Sequence, residues 1–298
     1  MGIQTIVYGE VLFDVFENGQ AIPGGAPFNV AWHLQGFGLQ PIFISRVGKD
    51  AYGQQIMDSM QAWGMDLSGL DVDPQLPTGT VQVSLDHGQP HFDIVTNVAY
   101  DHVDPVFVDQ YLASFSDIFL YHGSLIARTE HSSAIIRTMQ QTARAVFVDI
   151  NLRPPWWQRD TLVSLVTGCS ILKLNDEELD TLTACGIGLE ELERGAEQIQ
   201  QELAVDSVVV TRGKQGAFVL FENTITHCQP EIVTALIDTV GAGDAFSSIC
   251  ILGMQHDWDR RTTLQRAAKF AARVCQQRGA TSPATALYQS CMEEWQLR

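Results

Sequence analysis

Short β-rich apolar runs alternate with helix-patterned segments along most of this chain, and that alternation narrows its fold more than any other feature. Strand patterns fall at Thr5–Tyr8, Pro41–Val47, Ile118–Tyr121, Val146–Ile150, Ile171–Leu174 and Ser207–Thr211. Helical patterns lie between them at Asn29–Gln35, Gln54–Trp63, His131–Arg144 and Leu189–Leu203. Strands separated by helices need crossover connections, so the expected α/β sheet is largely parallel and covered on both faces. The last third turns helical, at Ala245–Gln255, Thr262–Gln277 and Thr285–Trp295.

One region departs from this pattern. Between Thr80 and Val95, period-two strands flank a turn centred on His87-Gly88. Together with Val11–Ile22 they predict a small β-flap, a lid contributed by about 11–22 and 79–103 to one domain spanning 1–298. There is no internal repeat, low-complexity segment or long linker to argue for two independent domains.

The 18 lysines and arginines stand against 35 aspartates and glutamates, a net charge of −17. That balance disfavours nucleic acid and anionic membrane surfaces as partners. Met1–Val7 enters a strand pattern with no basic segment or apolar leader ahead of it. No apolar stretch approaches the roughly 18 residues that cross a bilayer. The six cysteines (Cys169, Cys185, Cys228, Cys250, Cys275, Cys291) are scattered without a C-x-x-C pair, which predicts reduced thiols in a cytoplasmic protein.

Asp238-Thr-Val-Gly-Ala-Gly-Asp-Ala-Phe-Ser-Ser-Ile is the most informative segment. Gly241, Ala242 and Gly243 precede an apolar helix that starts near Ala245, so successive backbone N–H groups can face a ligand beside a positive helix terminus. Such a pocket suits charge developing on a phosphoryl group in transfer, and Asp244 in the first turn could take a hydroxyl proton. The plain alternative is a glycine turn with an aspartate set against the helix dipole.

Gly24-Gly-Ala-Pro-Phe-Asn29 admits two readings: a sugar lying close to the glycine backbone with Asn29 on its hydroxyls, or an ordinary proline-started helix. Asp149-Ile-Asn151-Leu-Arg153 follows an apolar strand, where open α/β sheets bind ligands; it also suits a surface strand end. Asn175 and Glu178 have the spacing of a reciprocal helix cap, and the same spacing could order magnesium through water. Thr211-Arg-Gly213-Lys-Gln-Gly216 is a glycine-rich turn after a strand, suited to a nucleotide phosphate or to a plain hairpin. No Walker loop and no G-x-G-x-x-G after the first strand is present.

In this order the segments resemble the PfkB (ribokinase-like) carbohydrate kinase family. Gly24–Gly48, running on to Tyr52-Gly53, is similar to its N-terminal signature, and Asp238–Ile249 to its C-terminal one. The resemblance implies a Rossmann-like three-layer core with a mostly parallel sheet and a β lid, ATP as donor and Mg2+ beside it. It implies that Asp244 is the base and that Gly241, Ala242 and Gly243 form the anion hole. Asp14, Gly24, Gly25, Asn29, Asn151 and Arg153 would meet the sugar. Asn175, Thr211, Gly213, Gly216, Cys275 and Gly279 would meet the nucleotide. Glu178 would serve magnesium through water, and Asp238 and Thr239 a potassium ion.

Ribokinase-type members carry Lys-Gly after the double glycine, whereas this chain has Ala26-Pro27 and so resembles fructokinases, as do Gly123-Ser-Leu and Asp149–Arg153. Fructose is therefore the expected substrate. A kinase of 2-keto-3-deoxygluconate or another sugar acid is the alternative. A non-catalytic sugar-binding relative is the third reading, and Asp244 after Gly-Ala-Gly argues against it. No lysine or arginine occurs from Gly2 to Ser45 or from Thr78 to Ile126, which favours a neutral sugar, Arg153 being the cation best able to alter that. Exposed flap edges predict a homodimer.

Overall fold

In the computed structural model, which describes residues 3–86, 89–231, 233 and 235–297, the apolar runs assemble two sheets. β1 (Gln4–Tyr8) lies inside the large sheet. The chain leaves it for β2 (Leu12–Phe16) and β3 (Ala21–Gly24) of the small sheet. It returns through α1 (Ala26–Gly36), β4 (Ile42–Gly48), α2 (Ala51–Ala62) and β5 (Leu70–Asp73). β6 (Gly79–Asp86) and β7 (Gln89–Ile94) complete the small sheet.

Strand and helix then alternate. They are α3 (Pro105–Leu112), β8 (Ile118–Gly123), α4 (Glu130–Thr142), β9 (Ala145–Asp149), α5 (Arg159–Val166), β10 (Ile171–Asn175), α6 (Asp176–Thr183), α7 (Leu189–Leu203) and β11 (Ser207–Thr211). A hairpin of β12 (Ala217–Phe221) and β13 (Thr224–Cys228) follows, then α8 (Ala242–Gln255), α9 (Arg260–Val274) and α10 (Thr285–Trp295).

The large sheet runs β13-β12-β11-β10-β9-β8-β1-β4-β5. Its pairs from β11 to β5 are parallel, and the pairs β11–β12 and β12–β13 are antiparallel. Alternate side chains feed two cores, as the period of two requires. Ile6, Tyr8, Leu120, Val148, Leu172 and Val210 point to the layer of α4, α5, α6 and α7. Val7, Phe119, Tyr121, Phe147, Ile171 and Val209 point to the layer of α1, α8, α9 and α10. The result is the three-layer α/β fold expected from the sequence.

The small sheet runs β3-β2-β6-β7, with β2 and β6 parallel. Its strands fall in the stretches expected to build the flap, although the His87-Gly88 turn lies outside the described residues. Residues 95–103, included in the expected lid, instead join the core: Val98, Tyr100 and Val103 are fully buried. The cause is Asp101, which takes the Arg128 guanidinium at 2.8 and 2.7 Å and fixes the 3-10 turn Ala99–His102 against the end of β8.

Strands β5, β12 and β13 and helices α3 and α5 were not expected; each is short and weakly patterned. α8 begins at Ala242, three residues before the expected Ala245, because Gly241 turns the chain into helix with φ of 78°. Among the described residues no helix is long and apolar enough to cross a membrane. All six cysteines are unpaired.

Candidate active site

The parallel register sets the carboxyl ends of β8, β9, β10 and β11 in a row. Gly123 lies opposite Asp149, Asp149 opposite Lys173, and Asn175 opposite Thr211. Strand ends of this kind are where open α/β sheets bind ligands. Lys173 alternates toward the α8 layer, where an unpaired ammonium would be costly. Its Nζ donates to both Asp149 oxygens at 2.9 and 2.8 Å, and Ser247 of α8 donates to Asp149 Oδ2 at 2.7 Å. Burial alone would lower the Lys173 pKa; Asp149, with Glu178 and Asp244, more than offsets it and keeps the ammonium charged.

Above this pair α8 opens without a side-chain cap. Ala242 N donates to Thr239 O and Ala245 N to Gly241 O, while the amides of Gly243 and Asp244 belong to the first turn and have no intrahelical acceptor. Those free donors and the helix dipole leave the start of α8 able to take an anion; of the expected Gly241, Ala242 and Gly243, the Ala242 amide is already bonded within the turn. Gly241 is required twice over: its φ is positive, and a Cβ there would lie 2.3 Å from that of Ala280. A Cβ at Gly243 would stand 3.5 Å from Lys173 Nζ, so the lysine lies just beneath the opening.

Asp244 is 9% exposed, and its Oδ2 accepts from Asn29 Nδ2 at 2.7 Å. Burial lifts its carboxyl to about 6; Asn29 opposes the rise, Asp149 adds to it, and Lys173 and Arg153 pull it down. A carboxylate with such a pKa is charged at neutral pH and more basic than an exposed one, which suits proton removal from a hydroxyl. Asn29, expected on the sugar, gives one amide N–H to Asp244 and keeps its second N–H and a buried, unpartnered Oδ1.

Gly25 caps α1 with φ of 109°, and a Cβ there would lie 2.6 Å from the Glu10 carbonyl. Gly24 ends β3 with its Cβ position 3.5 Å from Asp14 Oδ2. Burial raises the Asp14 pKa and Arg153 lowers it. The Arg153 side chain is exposed, and its charge favours the ionised forms of Asp14, Glu10 and Asp244 alike. Asn151, two residues before it, has a left-handed φ of 43°.

Asn175 and Glu178 form the reciprocal cap of α6, at 2.8 and 2.9 Å, and the other Glu178 oxygen accepts from Leu152 N at 2.7 Å. Thr211 ends β11, and Gly213 and Gly216 make the turn into β12. Gly216 has φ of 88° and its Cβ position is 2.3 Å from Cys228 O. The Cys275 carbonyl takes the amides of Ile237 and Asp238, and the Asp238 carboxylate takes those of Val240 and Gly279. These bonds tie the loop before α8 to the segment after α9; Thr239 stays exposed. No group of three metal-ligating side chains occurs among the described residues.

The reading from sequence missed Glu10 and the pairing of Asp149 with Lys173. A lysine inside the apolar run Ile171–Leu174 was the available signal, because a charge in a buried strand needs a partner.

Fold and site together define a phosphotransferase of the α/β class. The model of the pfkB family carbohydrate kinases matches residues 8–287, and the chain belongs to that family. It is 28% identical to a fructokinase of Salmonella typhimurium over 277 residues, 86% of this chain and 88% of that one. It is also 28% identical to a 2-dehydro-3-deoxygluconokinase of Thermoproteus tenax over 257 residues, 81% of this chain and 76% of that one. A fructokinase of Vibrio cholerae O395, solved with fructose, ADP and calcium ion bound, superposes with a TM-score of 0.80 at 25% identity, covering 96% of this chain and 98% of that one.

The raised Asp244 pKa has a cost in stability. The folded state holds this proton up to about pH 6 whereas an unfolded aspartate releases it near 3.8, so stability falls as pH rises between them. Asp244→Asn removes that cost, and its melting temperature should exceed that of the parent above pH 6, by the equivalent of up to about 3 kcal/mol, with no gain near pH 4. Thermal melts across pH check this; equal melting temperatures at pH 7.5 would show that the carboxylate is not held against its solvation.

Proposed function

We propose that this carbohydrate kinase transfers the γ-phosphoryl group of ATP to a hydroxyl of a small neutral sugar, with fructose as first choice. The observation that carries the reading is Asp244, a buried and basic carboxylate held by Asn29 at the uncapped start of α8. The sugar hydroxyl would give its proton to Asp244 while the amides of Gly243 and Asp244 receive the charge on the transferring group. Lys173, 3.5 Å from the Cβ position of Gly243, adds positive potential there.

The residues present fit a divalent cation. Asp149, Glu178 and Asp244 act on the single ammonium of Lys173, leaving an excess of negative charge at the strand ends. Each Glu178 oxygen already takes one backbone N–H and retains a lone pair for a metal-bound water. Magnesium, when bound, neutralises phosphate charge. Glu178→Gln should raise the magnesium concentration for half-maximal rate by several-fold; lower thermal stability with an unchanged magnesium response would reduce Glu178 to a helix cap. Potassium at Asp238 and Thr239 is read in the same assay by exchanging potassium for sodium.

Fructose is favoured because, of the cations that act on Glu10, Asp14 and Asp244, Arg128 is engaged by Asp101 and Lys173 by Asp149, which leaves Arg153 to meet a substrate anion. The sugar-acid reading draws on Arg153 itself and on the likeness to the Thermoproteus tenax enzyme. A coupled ADP-release assay decides. The expected kcat/KM for fructose exceeds that for 2-keto-3-deoxygluconate and for fructose 6-phosphate by at least ~10²-fold, the scale of one unpaired buried charge. Asp244→Asn should lower kcat by at least ~10²-fold with sugar binding nearly intact. Better turnover of an anion overturns the substrate, and undiminished turnover in Asp244→Asn overturns the base.

The small sheet ends in the edge strands β3 and β7, which pair with no further strand among the described residues and support a homodimer closed flap to flap. Light scattering should give twice the 32.9 kDa chain mass at micromolar concentration; the mass of one chain would sink the dimer.

A further inference from the structure

Arg128 ends the 3-10 turn Leu125–Arg128 that follows β8, and its side chain is only 2% exposed. Burying such a charge is costly unless it is matched. Nε and Nη2 donate to the Asp101 carboxylate at 2.8 and 2.7 Å, and Nη2 donates also to the Val95 carbonyl at 2.8 Å. Nη1 has no acceptor among the described residues. Val95 is the first residue beyond β7, and its own amide goes to the Thr80 carbonyl of β6 at 3.0 Å. Arg128 thus grips the small sheet where it joins the core. The guanidinium also lies 4.9 Å from the centre of the Tyr100 ring and 5.4 Å from that of Trp156, within range of cation–π attraction.

Trp156 belongs to the loop after β9, which is pinned at two points. Leu152 N donates to Glu178 Oε1 at 2.7 Å, and Trp156 N donates to the Arg153 carbonyl at 2.8 Å. Arg153 therefore stands in a short turn between an anchor on α6 and an indole resting on Arg128. Trp156 is half-buried and borders a cavity of about 420 Å³ that it shares with Arg128, Ser133, Leu162 and Leu165. One side of the indole is left without close packing there, so its contact with Arg128 carries more of the hold on the turn.

We propose that Arg128 is a positioning residue for the sugar: it ties the exit of the small sheet to the turn that carries Arg153, and so sets where Arg153 stands for the substrate. The inference rests on the reading of Arg153 as a sugar contact. Both parts that Arg128 joins belong to that reading, since Asp14 lies on β2 of the small sheet and Arg153 on the turn. The role needs arginine. A lysine could keep a charge beside Asp101, yet it lacks the fork that spans Asp101 and Val95 and the flat face that rests on the rings.

Steady-state kinetics of Arg128→Lys and Trp156→Leu test this, with fructose, or with 2-keto-3-deoxygluconate should that turn over better. Both variants should raise KM for the sugar by at least about fivefold, while KM for ATP and kcat stay within about twofold. Trp156→Phe keeps a ring face for the guanidinium and should return the sugar KM to within about twofold of the parent. A lower melting temperature with an unmoved sugar KM overturns the proposal, as does an equal loss for sugar and ATP. Should Arg128→Lys not fold, Trp156→Leu decides, because it leaves the pair with Asp101 intact. The route through Arg153 is read by a double-mutant cycle. Arg153→Ala should itself raise the sugar KM, and Trp156→Leu added to it should raise KM by less than about twofold more. Full additivity overturns the proposal and leaves Arg153 as a sugar contact. An Arg153→Ala enzyme with the parent's sugar KM refutes that contact instead, and the proposal falls with it.

Discussion

The buried pair of Lys173 and Asp149 holds the working end of the molecule together. An ammonium inside a sheet would cost several kcal/mol unless matched, and Asp149 on the neighbouring strand matches it with two short contacts. The same carboxylate receives Ser247 of α8, so two strands and a helix meet at one group. Ser247 is three residues beyond Asp244 and shares its helix face. What fixes Ser247 against the strand ends therefore fixes Asp244 as well, and α1 closes the arrangement from the other side through Asn29.

Charge in this site is balanced rather than removed. Lys173 and Arg153 hold Asp244 toward its ionised form, while burial and Asp149 push the other way. A carboxylate surrounded only by cations would be a poor proton acceptor; one buried with no cation would stay protonated at neutral pH. The observed mixture leaves it charged yet basic.

Much of this was legible in the sequence. Short apolar β-rich runs located six strands of the large sheet, β1, β4, β8, β9, β10 and β11, to within two residues, and the Gly-Ala-Gly-Asp segment located the open helix start. What stayed hidden were the partners. Periodicity tells which face Lys173 occupies and not that Asp149 awaits it one strand away, and Asn29 meets Asp244 across 215 residues of chain. Asn29 reads as a ligand for hydroxyls because a polar residue in an apolar helix invites that reading; its helix is buried along nearly its whole length, and one of its N–H groups goes to the Asp244 carboxylate. The 95–103 stretch looked like more flap because Arg128, which pairs with its Asp101 and draws it into the core, lies 27 residues further along the chain.

The joint at Gly24-Gly25 carries one more implication. β3 ends at Gly24 and α1 begins at Ala26, so a single residue separates the small sheet from the helix that bears Asn29. Each residue added to or removed from a helix lead-in turns its side chains by about 100° around the axis. One inserted residue there would swing Asn29 off Asp244 altogether, while a loop such as that between β13 and α8 has slack to absorb the change. Length at this joint is thus as constrained as the identity of the glycines, and natural variation in chain length among such proteins has to accumulate elsewhere.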